Sequence, residues 1–316
     1  MLKSVTSLLD RMPGGTSRRL RRARLIACDL DGTLLNRDDI ISPTTTAMIR
    51  TVIDLGIPFV IITARHHQAV EPYADELRID QPIITLDGAV ITDPDPSRPR
   101  RTITFDQDFA LDILEEIHQT EGVEFCAVTP DCFYTSGINT FLPSRYEHWN
   151  VERAAVDSIS EIKGPILEVI GIGDFYTTNS VFTYVESRMK RGELKVRLYE
   201  SHSRGDNWFL EIRSPRATKL HALEDLLAPL KISIKDVIGI GDNRNDLDFC
   251  EKAGYVVAVK NAVKELKQLA DFITARECTE EGINEFFEIY LRAHDVDPLA
   301  VIPRSERPGR SRERSR

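Results

Sequence analysis

The chain lacks a hydrophobic run long enough to cross a bilayer. Its strongest apolar stretch, IPFVIIT at 57–63, covers about a third of the ~20 residues that a spanning helix needs. No apolar segment of signal-peptide length stands near the start either, so neither membrane insertion nor export is expected, and a cytoplasmic protein is. The Arg-rich, acid-poor first 24 residues also fit an organelle-targeting leader. Cysteine is sparse: Cys28, Cys126, Cys132, Cys250 and Cys278 are scattered, with no pair at the close spacing of zinc or thioredoxin-type sites, which predicts reduced thiols. There is no internal repeat, which sets solenoids aside. Positive charge is scarce outside the ends. Residues 1–24 hold Lys3 and six arginines against Asp10, and 303–316 hold six arginines against Glu306 and Glu313, so with a formal total of -9 the body between is strongly acidic. Such a body is a poor nucleic-acid platform, because phosphate contacts need a basic face.

What is present is a globular core. Short apolar runs rich in β-branched residues end in polar or Gly-containing turns and are followed by helical patterns: LIACD (25–29), FVIIT (59–63), VIGIGD (237–242) and YVVAV (255–259). This alternation predicts an α/β protein, a doubly wound parallel sheet of Rossmann-like type covered by helices. Ser42 and Pro43 read as N-cap and first helical residue, and Gly56 as a helix stop. From 87 to 208 the pattern changes: runs such as FCAVT (125–129), ILEVIGI (166–172) and LKVRLYE (194–200) lie among long helical patterns and turns, which predicts an inserted α+β cap. The expected organisation is a basic, disordered segment at 1–24, a core at 25–86 and 209–300, a cap at 87–208 and a disordered Arg-rich tail at 301–316. Three prolines in DPDPSRPR (93–100) argue against regular structure there.

Two acidic constellations carry the chemistry. In DLDGT (29–33), Asp29 and Asp31 are two residues apart at the C-terminal end of the first strand, so the period of two lets both face one site where open parallel sheets bind ligands. In GDNRND (241–246), Asp242 follows its strand as Asp29 follows the first. Carboxylates gathered at one sheet edge repel one another unless a cation sits among them, and hard oxygen donors suit Mg²⁺. Thr63 ends FVIIT with a hydroxyl able to donate to a phosphoryl oxygen, and Lys219 opens a helical pattern with a fixed positive charge. Each feature taken singly also has a bland account: an acidic turn, a helix cap, a strand-end threonine or a solvated lysine.

Together, Asp29–Thr33, Thr63, Lys219 and Gly241–Asp246 stand in the order and strand contexts of the four motifs of the haloacid dehalogenase-like superfamily. With the long insert and the run at 253–283, the chain resembles that family's Cof-type phosphatases, which include sucrose-phosphate and mannosylglycerate-phosphate phosphatase relatives. The resemblance spans about 25–290. It implies a phosphatase acting on a small phosphorylated metabolite, a sugar phosphate or similar. Asp29 would be nucleophile and Asp31 general acid and base, with Mg²⁺ held by Asp29, the backbone carbonyl of Asp31 and Asp242. Asp246 would support the metal, Asn245 would hold the phosphate, and Lys219 and Thr63 would balance its charge. Arg65 resembles the arginine of the family's threonine-glycine-arginine motif and suits phosphate. The chain departs from the pattern at Ala64 and Leu220, where glycine is usual, and at Asp87-Gly88, where Asn-Gly is common. His66 and His67 read as solvated or capping. Tyr146, Trp149, Trp208 and the turn at 201–207 could line a sugar pocket or simply pack. Two rivals remain: a phosphomutase or phosphotransferase using the same residues with another hydroxyl as acceptor, and a non-catalytic binding protein on this fold, which the complete acid set argues against.

Overall fold

The computed structural model describes residues 15–306 apart from 139, 141, 143–148, 150 and 201–206. Its first sheet has the order β14-β13-β12-β1-β2, from Phe272–Ile273 (β14), Tyr255–Ala258 (β13), Val237–Gly241 (β12), Leu25–Cys28 (β1) and Phe59–Ile61 (β2), and every pairing is parallel. All residues of β1, β2, β12 and β13 are buried, as expected when both faces of a parallel sheet are covered. The covering helices contribute one apolar stripe each. They are Pro43–Asp54 (α2) with Met48, Ile49 and Val52; Lys219–Leu230 (α6) with Leu223, Leu226 and Leu227; Leu247–Lys252 (α7) with Phe249; and Ile283–Ala293 (α9) with Phe286, Phe287 and Tyr290. Helix α2 begins as its sequence predicts: Ser42 accepts from the Thr45 amide and Pro43 sits in the first turn.

A second, six-stranded sheet has the order β10-β11-β9-β6-β7-β8, built from Lys195–Glu200 (β10), Trp208–Arg213 (β11), Glu168–Gly173 (β9), Glu124–Val128 (β6), Phe133–Thr135 (β7) and Arg153–Ala155 (β8). Helices Gln107–Gln119 (α4) and Phe175–Arg188 (α5) pack on one of its faces through Ile113, Leu114, Ile117, Val181 and Val185. The boundaries differ from those expected. Strand β11 pairs along its whole length with β9 and β10, so this unit extends to Arg213 rather than ending at 208. At its other end, Ile83–Thr85 (β3), Val90–Thr92 (β4) and Arg101–Thr102 (β5) form a small antiparallel sheet, tied to the core by the parallel bridge of Ile62 with Ile84.

The basic leader also needs correction over 15–24. Gly15–Arg22 (α1) is a helix that buries Leu20 completely in the core, while Arg19 forms a fork with Asp271 at 2.6 and 3.1 Å and donates to the Gly254 carbonyl at 2.7 Å. Leu20 and Ala23 in the core and the contacts of Arg19 together tie the segment to the sheet. At the far end, the short helix Pro298–Val301 (α10) is followed by buried Ile302, so ordered chain continues past 301. The remaining parts of both basic ends lie outside the described residues. All five cysteines are free and buried.

Candidate active site

The site forms where β1 and β12, adjacent and parallel, release their C-terminal ends side by side. Asp29 directly follows β1, and its amide donates to the Ile240 carbonyl of β12 at 2.9 Å, locking the two loops in register. Two close approaches then require glycine. Gly32 has φ +72°, and a Cβ there would stand 2.4 Å from an Asp242 oxygen; a Cβ on Gly241 would stand 2.5 Å from an Asp246 oxygen. One oxygen from each of Asp29, Asp242 and Asp246 lies within 4.8 Å of the others.

Lys219, the first residue of α6, sends a fully buried ammonium into this cluster, donating to Asp29 Oδ1 and Asp246 Oδ1 at 2.6 Å each. Thr218 caps α6 by accepting from the His221 amide, which fixes the helix start and so the lysine. Asp246 spends its second oxygen on the amides of Asp242 and Asn243, at 2.9 and 3.0 Å, and thereby shapes the loop after β12. Electrostatics reflect the crowding. Burial raises the Asp29 pKa well above the ordinary carboxylate range; Lys219 opposes this, and Asp246 and Asp242 add to it. Burial, with Asp246 adding, pushes Asp242 up to about 7. Burial works against the Lys219 ammonium, but Asp246 and Asp29 outweigh it and raise its pKa. Three hard carboxylates against one ammonium form a donor set that fits a divalent cation such as Mg²⁺. Asp29, Asp242 and Asp246 each offer one carboxylate oxygen to such an ion, and Lys219 shares the Asp29 and Asp246 oxygens.

Asp31 lies beside this cluster, near enough for its charge to act on Asp242, and pairs with Arg65. Its carboxylate is half exposed and gripped by Arg65, whose Nε lies 2.9 and 3.0 Å from its two oxygens and whose second guanidinium nitrogen lies 2.6 Å from Oδ1. The same guanidinium donates to Asp39 at 3.0 Å and lies beside the Tyr73 ring. Arg65, expected on phosphate, here pairs with Asp31 and Asp39, whose carboxylates match its fork. Asp39 and Tyr73 escaped the sequence reading, since nothing in their local pattern marks them. Thr63 is buried; its hydroxyl oxygen accepts from the Arg65 amide at 3.2 Å, which leaves its own proton free to donate.

Asn245 Nδ2 donates to Asp87 Oδ1 at 2.8 Å, and Asp87 Oδ2 accepts from Arg213 at 3.1 Å. Asp87 was visible as a departure from the Asn-Gly pattern, but Arg213 carried no signal. His66 and His67 are buried rather than solvated. His66 Nδ1 accepts from the Gln68 amide, capping the turn His67–Ala69, and its Nε2 meets the Thr129 carbonyl of the second sheet's β6–β7 turn at 3.3 Å. Of the aromatic pocket candidates, Trp149 is buried among Phe133 and Leu142, and Trp208 packs edge-on against Phe175 of α5 at 4.8 Å. Core packing accounts for Trp149, whereas Trp208 is half-buried against a partly exposed Phe175; Tyr146 and 201–206 fall outside the described residues.

The family model of haloacid dehalogenase-like hydrolases matches residues 26–287. The chain is 27% identical over 285 residues to a 5-amino-6-(5-phospho-D-ribitylamino)uracil phosphatase of Bacillus subtilis, covering 85% of this chain and 98% of that protein. It is 25% identical over 277 residues to a pyridoxal phosphate phosphatase of Escherichia coli, at 85% and 98% coverage. Among solved structures, a haloacid dehalogenase-like hydrolase from Bacteroides thetaiotaomicron superposes with a TM-score of 0.73 at 25% identity, covering 84% of this chain and 98% of that one. With the acid cluster at the ends of β1 and β12 and a second sheet inserted between β5 and α6, the chain belongs to the haloacid dehalogenase-like hydrolases, among their Cof-type phosphatases.

Proposed function

We propose that the protein is a Mg²⁺-dependent phosphatase that hydrolyses a small phosphorylated metabolite, a sugar phosphate or a similar polar monoester, through an aspartyl-phosphate on Asp29. The observation that carries the proposal is the junction of Asp29, Lys219, Asp242 and Asp246 at the carboxyl ends of adjacent parallel strands. An oxygen of Asp29 attacks phosphorus as the bond to the leaving oxygen breaks, and Asp31 gives that oxygen a proton. Water then attacks the phosphorus, Asp31 takes its proton, and the bond to Asp29 breaks to release phosphate and restore both side chains. Bound Mg²⁺ would offset negative charge on the phosphoryl oxygens and lower the Asp29 and Asp242 pKa values, keeping the nucleophile ionised.

The chain's own residues supply the rest. Lys219 offers a buried cation to the equatorial oxygens, Thr63 a hydroxyl proton and Asn245 an amide. Arg65 holds the half-exposed carboxylate of Asp31, the group to which this proposal assigns the proton transfers with leaving group and water. The substrate class rests on the resemblance to Cof-type phosphatases and on the relatives: the Bacillus subtilis protein is named for a phosphoribitylamino-uracil and the Escherichia coli protein for pyridoxal phosphate. The test is phosphate release from a panel of phosphorylated metabolites with and without Mg²⁺. Metal-dependent release of free phosphate is expected. Exchange of phosphate between positions without release would point to a mutase, and silence across the panel would reject the proposal.

A further inference from the structure

Asp87 lies in the turn Leu86–Gly88, directly after β3, with left-handed backbone angles (φ 52°, ψ 32°). Two backbone bonds tie that turn to the site: the Leu86 amide donates to the Arg65 carbonyl at 2.9 Å and the Asp87 amide to the Thr63 carbonyl at 3.0 Å. The placement has a cost. A carboxylate 2.8 Å from the Asn245 amide adds negative charge where a phosphoryl dianion would bind, and like charges in a partly buried site repel strongly. Arg213 answers that charge. It is the last residue of β11 and leads into the segment that delivers Lys219, and its guanidinium lies 3.1 Å from the second oxygen of Asp87, both side chains being nearly buried.

We propose that Asp87 and Arg213 act as one positioning unit for phosphate recognition: Asp87 aims the Asn245 amide, and Arg213 cancels the charge that Asp87 brings. The proposal rests on the phosphatase reading above, with Asn245 as a phosphate ligand. It makes the two residues interdependent. Arg213→Leu removes the guanidinium that pairs with Asp87, leaving its charge to act on Lys219 and Lys195. Asp87→Asn turns a donor towards either Arg213 or Asn245, so one of them loses its acceptor. With both changes, the side-chain carbonyl introduced at position 87 can still accept from Asn245 and the pair brings no net charge, so function returns.

The experiment is a double-mutant cycle on the full chain with Mg²⁺, using p-nitrophenyl phosphate turnover and competitive inhibition by inorganic phosphate as readouts. Each single variant is expected to raise KM and the phosphate inhibition constant about tenfold with kcat changed far less, and the double variant to recover most of that loss. Arg213→Lys keeps the charge and is expected to stay within about threefold of the native KM, which separates loss of charge from loss of fold. Additive single effects, or an Arg213→Leu variant with native KM and phosphate inhibition, overturn the proposal. A native chain that neither turns over the ester nor binds phosphate instead sinks the phosphatase reading beneath it.

Discussion

The ammonium of Lys219 lies 2.6 Å from Oδ1 of Asp29, and both side chains are withdrawn from solvent. An ion pair so buried is held by mutual need, because removing one partner strands the other charge at a cost of about 3–5 kcal/mol. Lys219→Ala is therefore expected to lower kcat/KM by about 10²–10³ and to lower the melting temperature, as measured by steady-state kinetics and thermal denaturation. A variant with native activity would remove Lys219 from the site.

Metal dependence has a readout that needs no substrate. Mg²⁺ at about 100 times its dissociation constant is expected to add about 2.7 kcal/mol of stability by mass action, and a chelator to remove it. Asp242→Asn should abolish most of the Mg²⁺-induced melting shift. An unchanged shift in that variant would contradict the ligand assignment.

Gly32→Ala is expected to uncouple fold from site. The added Cβ would lie 2.4 Å from Asp242 Oδ2 at a φ of +72°, a region costly for side-chain-bearing residues by about 1–2 kcal/mol. The variant should still fold while losing most of the Mg²⁺ melting shift, and a native shift would show that the loop absorbs the contact.

The buried histidine pair predicts a pH dependence of stability. Burial lowers His66 from the ordinary 6.5 to about 4 and His67 to about 3, with His66 adding to the effect on His67. Below pH 6.5 the unfolded chain takes up protons that the folded chain refuses, so stability falls as pH drops from about 6.5 towards 4. The slope is at most about 1.4 kcal/mol per pH unit for each histidine. Replacing both with Gln should flatten this limb relative to the native chain in melting curves across that window. Parallel curves would show that the pair contributes nothing.

The gathering of Asp29, Asp242 and Asp246 was legible because its signals are local. DLDGT and GDNRND each end a β-branched run, so position, charge and the glycine needed for close approach are written within six residues. The environment of those motifs was not legible. Arg65 could be picked out by its fork, but only the fold brings Asp31 and Asp39 to it. Arg213 sits 126 positions from Asp87, and no periodicity announces such a pair. The short strands β3, β4 and β5 have two or three residues each, too few to show alternation. Strand β11 reads as the start of the core, and only its pairing with β9 and β10 makes it an inner strand of the second sheet. Composition misled at the N-terminus, where Leu20 anchors α1 amid arginines. Leu20→Ala should cost about 2–5 kcal/mol in denaturant unfolding, whereas a surface leucine would cost almost nothing.

Passage of the phosphoryl group through Asp29 is tested most directly by acid-quenching the chain during turnover with Mg²⁺, reducing the acyl phosphate with borohydride and locating the product by peptide mass spectrometry. Conversion of residue 29 to homoserine in the native chain, with no conversion in Asp29→Asn, is the predicted result. Modification at another residue, or phosphate release that persists undiminished in Asp29→Asn, would contradict it.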